Sequence, residues 1–261
     1  EQYIKNIVQI FCMSNAKVVS TPFTTHFKLS AQHSPSSDKE KEDMAKVPFA
    51  SAVGSLVYVM VCTRLDIDHA VDIVRMFLSN PGKGHWNVVK WIMRYLCDIS
   101  NLSLRFGIGE PVLVGYTDTD MVGHVDTRKS TSGYMVTFAG GAVFWLSRLQ
   151  KCIAVSTIEA KFIATTEACK ELLWKKKFLG ELSVTQKKYV LLCDSQSAIH
   201  LAKNSTFHQR SKHVDVRYHW IRDVLEAKEV ELEKVHTNDN GSDMMTKTLP
   251  REKFEFCLLV A

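Results

Sequence analysis

Near Pro111 the spacing of apolar residues changes from three-and-four to two, and that change separates two kinds of structure along one chain. Upstream, FASAVGSLVYVMVCT, DHAVDIVRMFLS and HWNVVKWIMRYL repeat apolar side chains at helical spacing, with Asn80-Pro81-Gly82 breaking the second run from the third. They predict three helices packed on one another. Downstream, VLVGYTDTDM, SGYMVTFA and AVFWLSR are short, rich in β-branched and aromatic residues, and separated by turn formers such as Gly140-Gly141, which reads as an antiparallel meander. A long helix is expected from Ser156 to about Leu182, with Ile158, Phe162, Thr165, Cys169, Leu172, Leu173 and Leu179 along one face. A strand YVLLC, a short helix SQSAIHLAK, a helix at 212 to 227, a strand EVELEKV and a last helix near 242 to 248 follow. The order β-β-β-α-β-α-α-β-α predicts an α/β fold: a mixed five-stranded sheet with flanking helices over 111–255, preceded by a mostly helical segment over 1–110.

Residues 30 to 47, SAQHSPSSDKEKEDMAKV, are polar and nearly free of large apolar groups, so they are expected to form an exposed linker or mobile loop. The longest apolar run, AVGSLVYVMVC, is about half the roughly 20 residues of a membrane-spanning helix and predicts a buried helix, with no membrane segment. Seven cysteines are scattered singly, without the paired spacing of a zinc site or the density of a disulfide scaffold, which favours a reduced, intracellular protein. The opening EQYIKNIVQIF, with no initiator Met and no signal-peptide pattern, reads as part of a longer chain. A net charge of +5 permits contact with a polyanion without requiring it.

Four acids in the downstream part stand at strand ends and helix starts: Asp118, Glu159, Asp194 and Asp243. Hard oxygen ligands delivered from separate elements to one spot are what a two-metal nuclease requires. Each also has a plain structural reading. Asp118 shares the period-two face of Val112, Val114 and Tyr116, or else belongs to a turn after Thr117. Glu159 completes a capping-box pattern with Ser156. Asp194 could cap the next helix, although the carboxyl end of a strand is also where open α/β sheets hold ligands. Asp243 suits the first turn of a helix.

From Asp118 onward the chain resembles the ribonuclease H domain of copia-type long-terminal-repeat retrotransposons, through GYTDTDMVGHVDTRKSTSGY, AVSTIEAKFIATTEACKELLW, CDSQSAIHLAKN, RSKHVDVRYHWIRD and SDMMTKTLP. The upstream part, from NAKVVSTPF through FASAVGSLVYVMVCTRLDIDHAV to GHWNVVKWIMRYL, resembles the region joining the reverse transcriptase thumb to that domain. The resemblance implies a ribonuclease H-like sheet in which Asp118, Glu159, Asp194 and Asp243 match the acids of the family's YSD, TEAE, CDNQSA and ADILTK patterns and bind two Mg²⁺ ions, with Mn²⁺ able to substitute. It implies hydrolysis of the RNA strand of an RNA/DNA hybrid, an upstream reverse transcriptase domain as partner, and a cytoplasmic, virus-like-particle setting. Crowded carboxylates repel one another, so such a site is expected to be loose until metal arrives.

Two basic stretches are candidates for the nucleic acid: Arg128, Lys129 and Ser130 (with Thr131 and Ser132) after the first strand, and Arg210, Lys212, His213, Arg217 and His219 around the helix from 212. Each could equally be an ordinary turn or a solvated helix face. His236 is taken as a passenger, and Trp145, Trp174 and Trp220 as core. Four positions depart from the family pattern: Leu65 replaces the usual Pro, Met121 a Trp, His124 an Asp, and Lys161 stands where an acid is common. These departures leave a second function open, that of a non-catalytic remnant binding nucleic acid or protein.

Overall fold

The computed structural model describes residues 1–107, 109–203 and 212–261, with only the backbone described for 212–218. It divides into two compact units. One comprises Glu1–Leu104 with Val125–Thr127 and Thr248–Phe254, and the other Arg105–His124, Arg128–Lys247 and Glu255–Ala261.

The first unit is helical. Its helices are α1 (Gln2–Ile10), α2 (Asp38–Ala45), α3 (Phe49–Cys62), α4 (Asp68–Arg75) and α5 (Lys83–Asp98). The three runs at helical spacing are α3, α4 and α5, and their stripes meet in a core where Leu56, Val74, Val88, Ile92 and Leu96 are wholly buried. Between α3 and α4 the chain turns at Arg64, whose guanidinium is enclosed and donates through Nε and Nη2 to the Asp66 carboxylate at 2.9 and 2.5 Å. The Tyr95 hydroxyl of α5 donates to the same carboxylate at 2.6 Å, and Arg64 Nη1 donates to the Ile99 carbonyl at 3.0 Å.

The expected linker at 30 to 47 is instead ordered as a 3₁₀ turn, Ala31–His33, followed by α2. Composition correctly left α2 without a buried residue, but its start is set locally. Ser37 Oγ accepts from the Glu40 amide at 3.3 Å while Glu40 Oε2 accepts from the Ser37 amide at 3.2 Å, the reciprocal cap that satisfies free donors at a helix start. Among the described residues no single helix is long and apolar enough to cross a membrane.

The second unit holds β1 (Val114–Thr119), β2 (Thr131–Phe138), β3 (Gly141–Leu149), α6 (Thr157–Glu181), β4 (Val190–Cys193), α7 (Gln196–Lys203), α8 (Lys212–Glu226) and β5 (Glu231–Lys234). The strands lie in the order β3-β2-β1-β4-β5, antiparallel among the first three and parallel from β1 through β4 to β5. This is the expected mixed five-stranded sheet with flanking helices. α6 crosses β1, β2 and β4 and buries Phe162, Thr165, Cys169 and Leu172, with Leu173 and Leu179 at the margin of the core.

Three expectations are corrected. Ile158 is 39% exposed, because burial beneath α6 begins only at Ala160 and leaves the first turn in solvent. Trp174 is 57% exposed and stacks on Phe178, being out of phase with the buried stripe, whereas Trp220 is half-buried and packs against the core as expected and Trp145 is half-buried. The last predicted helix is a buried 3₁₀ helix, Gly241–Met245, and a further helix, α9 (Arg251–Val260), follows it.

Candidate active site at the carboxylate rim

β1 and β4 are parallel neighbours, with Thr117 opposite Cys193, so the residues that follow these two positions emerge side by side at the strands' carboxyl ends. They are Asp118, buried and still within β1, and Asp194, directly beyond β4. A carboxyl rim of this kind is where α/β sheets commonly place ligands. Asp243 reaches the same place from the 3₁₀ helix. Oxygens of Asp118, Asp194 and Asp243 lie within 4.8 Å of one another.

Two residues unremarked in the sequence seat that 3₁₀ helix. Asn240, wholly buried, donates through Nδ2 to the Thr117 carbonyl at 3.0 Å and accepts from the Ser242 amide and hydroxyl at 3.2 and 2.8 Å. Gly133 pairs with Asp118 across β1 and β2, and a Cβ there would lie 2.5 Å from Thr246 Cγ2 and 2.6 Å from Met245 Cβ. The missing side chain therefore lets the turn lie against the sheet beside Asp118. The Thr246 hydroxyl then donates to Asp118 Oδ2.

Glu159 does not join the three aspartates. Its Oε2 accepts from the Val155 amide at 2.8 Å, and its own amide donates to Ser156 Oγ at 3.1 Å, so it caps the start of α6. The side chain that enters the cluster is that of Lys161. Its Nζ lies 3.3 Å from Asp118 Oδ1 and is ion-paired with Asp194 Oδ1. Residues two apart on a helix point about 200° apart, so only one of Glu159 and Lys161 can face the rim. Lys247 adds a second ammonium, 3.2 Å from Asp118 Oδ2 and 2.9 Å from Asp243 Oδ1, and Lys234 Nζ donates to the Asp194 carbonyl.

The electrostatics follow this geometry. Burial alone would raise the Asp118 carboxyl, but the Lys247 and Lys161 ammoniums and the Thr246 hydroxyl outweigh it and hold the group below its ordinary value. Both lysines, despite burial that disfavours their charge, are held above theirs by the aspartates. The repulsion expected among crowded carboxylates is thus offset internally.

Three clustered aspartates are, by donor type and spacing, suited to a divalent cation. The ammoniums of Lys161 and Lys247 are ion-paired with all three carboxylates, so the residues as they stand do not fit a pair of Mg²⁺ or Mn²⁺ ions.

No family model matches the chain. It is 56% identical over 257 residues, 98% of its length, to the retrovirus-related Pol polyprotein from transposon TNT 1-94 of Nicotiana tabacum. The chain belongs to the copia-type retrotransposon Pol polyproteins. This Pol segment is also similar to the corresponding polyprotein from transposon RE2 of Arabidopsis thaliana, 32% identical over 245 residues, 93% of the segment. It spans 19% and 16% of the lengths of these two relatives. Among solved structures it is similar to a compost-derived ribonuclease H1, LC11-RNase H1, at 12% identity and a TM-score of 0.40, covering 52% of the segment and 93% of that chain.

The basic candidates divide. Arg128 and Lys129 lie in the loop between β1 and β2, Arg128 exposed and Lys129 half-exposed. Ser130 is buried, its hydroxyl accepting from the Val122 amide at 3.2 Å, and Thr131 and Ser132 are buried with it, so these three nucleic-acid candidates are enclosed in the structure. They support the sheet end instead. Arg210 lies outside the described residues. Lys212, His213 and Arg217 fall on the part of α8 whose side chains are not described, and His219 is exposed. His236 Nδ1 accepts from the Asn238 amide at 3.2 Å and caps a 3₁₀ turn.

Proposed function

We propose that this Pol segment is the ribonuclease H-like module through which a retrotransposon polyprotein engages RNA/DNA hybrids, and that the chain with its present residues holds the hybrid without cutting it. Membership of the Pol family supports the substrate class, and the convergence of Asp118, Asp194 and Asp243 on one rim supports a site of hydrolase descent. In such a site two divalent ions would supply the attacking hydroxide and stabilise the leaving oxygen during hydrolysis of the RNA strand. The observation that selects binding over turnover is Lys161, whose ammonium lies against two of the three carboxylates. Arg128 and Lys129 are open to phosphates, and the upstream reverse transcriptase region of the polyprotein is the partner that would present the duplex.

A fluorescent RNA/DNA hybrid titrated with the protein is expected to bind, with affinity falling as salt rises. Incubation with Mg²⁺ or Mn²⁺ is expected to leave the RNA strand intact. Metal-dependent cleavage that disappears in Asp194→Asn would overturn the non-cleaving reading and restore the two-metal endonuclease. An affinity indistinguishable from that of a neutral polymer would overturn hybrid engagement.

A further inference from the structure

The Pol family implies four acids at the rim, and the structure supplies three acids and a lysine. We infer that Lys161 is the resident cation of this site: its ammonium takes the place of divalent metal among Asp118, Asp194 and Asp243, and position 161, rather than 159, is where a fourth acid would complete a metal centre. This rests on the proposed hybrid-binding reading only for its biological setting, since it concerns metal alone.

Three observations carry it. Lys161 and Glu159 lie on opposite sides of α6, and the Glu159 carboxylate is engaged with the Val155 amide, away from the aspartates. The Lys161 side chain is 21% exposed and bridges Asp118 to Asp194, carboxylates at the ends of two neighbouring strands, as a shared metal ion would. Lys247 is 38% exposed and pairs with Asp243 one helical turn earlier, so it can withdraw into solvent while Lys161 is confined between the strand ends. The departure at 161 and the capping geometry at 159 therefore have one explanation. Glu159 was never the ligand; it starts the helix that delivers residue 161 to the rim.

The test is metal binding, read without hybrid or activity. Mn²⁺ is titrated into the protein while free Mn²⁺ is followed by electron paramagnetic resonance, and melting temperature is recorded with and without Mn²⁺. The wild-type chain is expected to retain almost no Mn²⁺ and to melt unchanged. Lys161→Glu is expected to bind Mn²⁺ at least tenfold more tightly than wild type and to melt higher when Mn²⁺ is present, by the mass action of a ligand bound only to the folded state. Adding Glu159→Gln to that variant is expected to leave the gained binding in place. Circular dichroism checks folding, and should Lys161→Glu fail to fold, Lys161→Met carries the test, with a gain of Mn²⁺-dependent stabilisation expected. Equal Mn²⁺ binding by wild type and by the folded variant would overturn the inference, as would loss of the gained binding on Glu159→Gln. A failure of hybrid binding in the wild-type protein would sink the proposed function and leave this result standing.

Discussion

Replacing Asp66 by alanine removes the acceptor at the centre of the buried Arg64, Asp66 and Tyr95 network. The carboxylate receives two bonds from a guanidinium whose side chain is 1% exposed and one from a buried phenol. All three bonds end on the charged carboxylate, and bonds to charged groups contribute about 1.5 to 3 kcal/mol each, which would sum to roughly 4.5 to 9 kcal/mol. Such terms are not additive within one network, and breaking a buried pair costs about 3 to 5 kcal/mol because the remaining ion is left enclosed. A loss of about 4 kcal/mol in the helical unit is therefore expected. The assay is hydrogen exchange read by mass spectrometry on peptides within 49–98 across a urea series, which reports this unit separately from the sheet. A companion variant, Arg64→Met with Asp66→Leu and Tyr95→Phe, removes the three side chains together, leaving only the Ile99 carbonyl without its donor, and is expected to recover most of the loss. A single-variant cost below about 1 kcal/mol would refute the reasoning, since it would mean that the guanidinium finds water or another acceptor on losing its carboxylate.

Two further outcomes are expected. His69, whose Nδ1 is enclosed without a partner, is pushed by burial down to about 4 from an ordinary 6.5, so below pH 6.5 the unfolded chain takes up a proton that the folded chain refuses. Its contribution is complete above pH 6.5 and is lost as the pH falls toward 4, by at most about 3 kcal/mol; His69→Phe should flatten that part of a urea-midpoint profile, and an unchanged slope would count against it. Gly133→Ala places a methyl 2.5 Å from Thr246 and 2.6 Å from Met245, so the 3₁₀ helix carrying Asp243 must shift, and thermal unfolding should show a loss of about 1 to 3 kcal/mol; an unchanged melt would mean that the turn does not rest on the sheet.

Much of the fold is written in the period of the apolar residues. The change at Pro111, the three β-rich runs and the stripe of α6 from Phe162 to Leu172 correspond to elements of the structure because burial on one face demands that spacing. α2 was missed because its start depends on the Ser37 and Glu40 cap, and a cap needs no core. The three aspartates were legible from their places at strand and helix ends. The choice between 159 and 161 was not, since a motif holding both positions conceals helical phase. Nor was Asn240, whose bond to the Thr117 carbonyl spans 123 residues of sequence. Its one trace in the sequence is an Asn three residues before the last acid, where it caps the turn.

In the genetic code, every lysine codon ending in A or G becomes a glutamate codon through one purine transition at its first base. The rim still holds Asp118, Asp194 and Asp243, with Asn240 and Gly133 seating the turn beneath them, so the scaffold around Lys161 is complete. The interval between this chain and one with an acid at position 161 is therefore a single nucleotide.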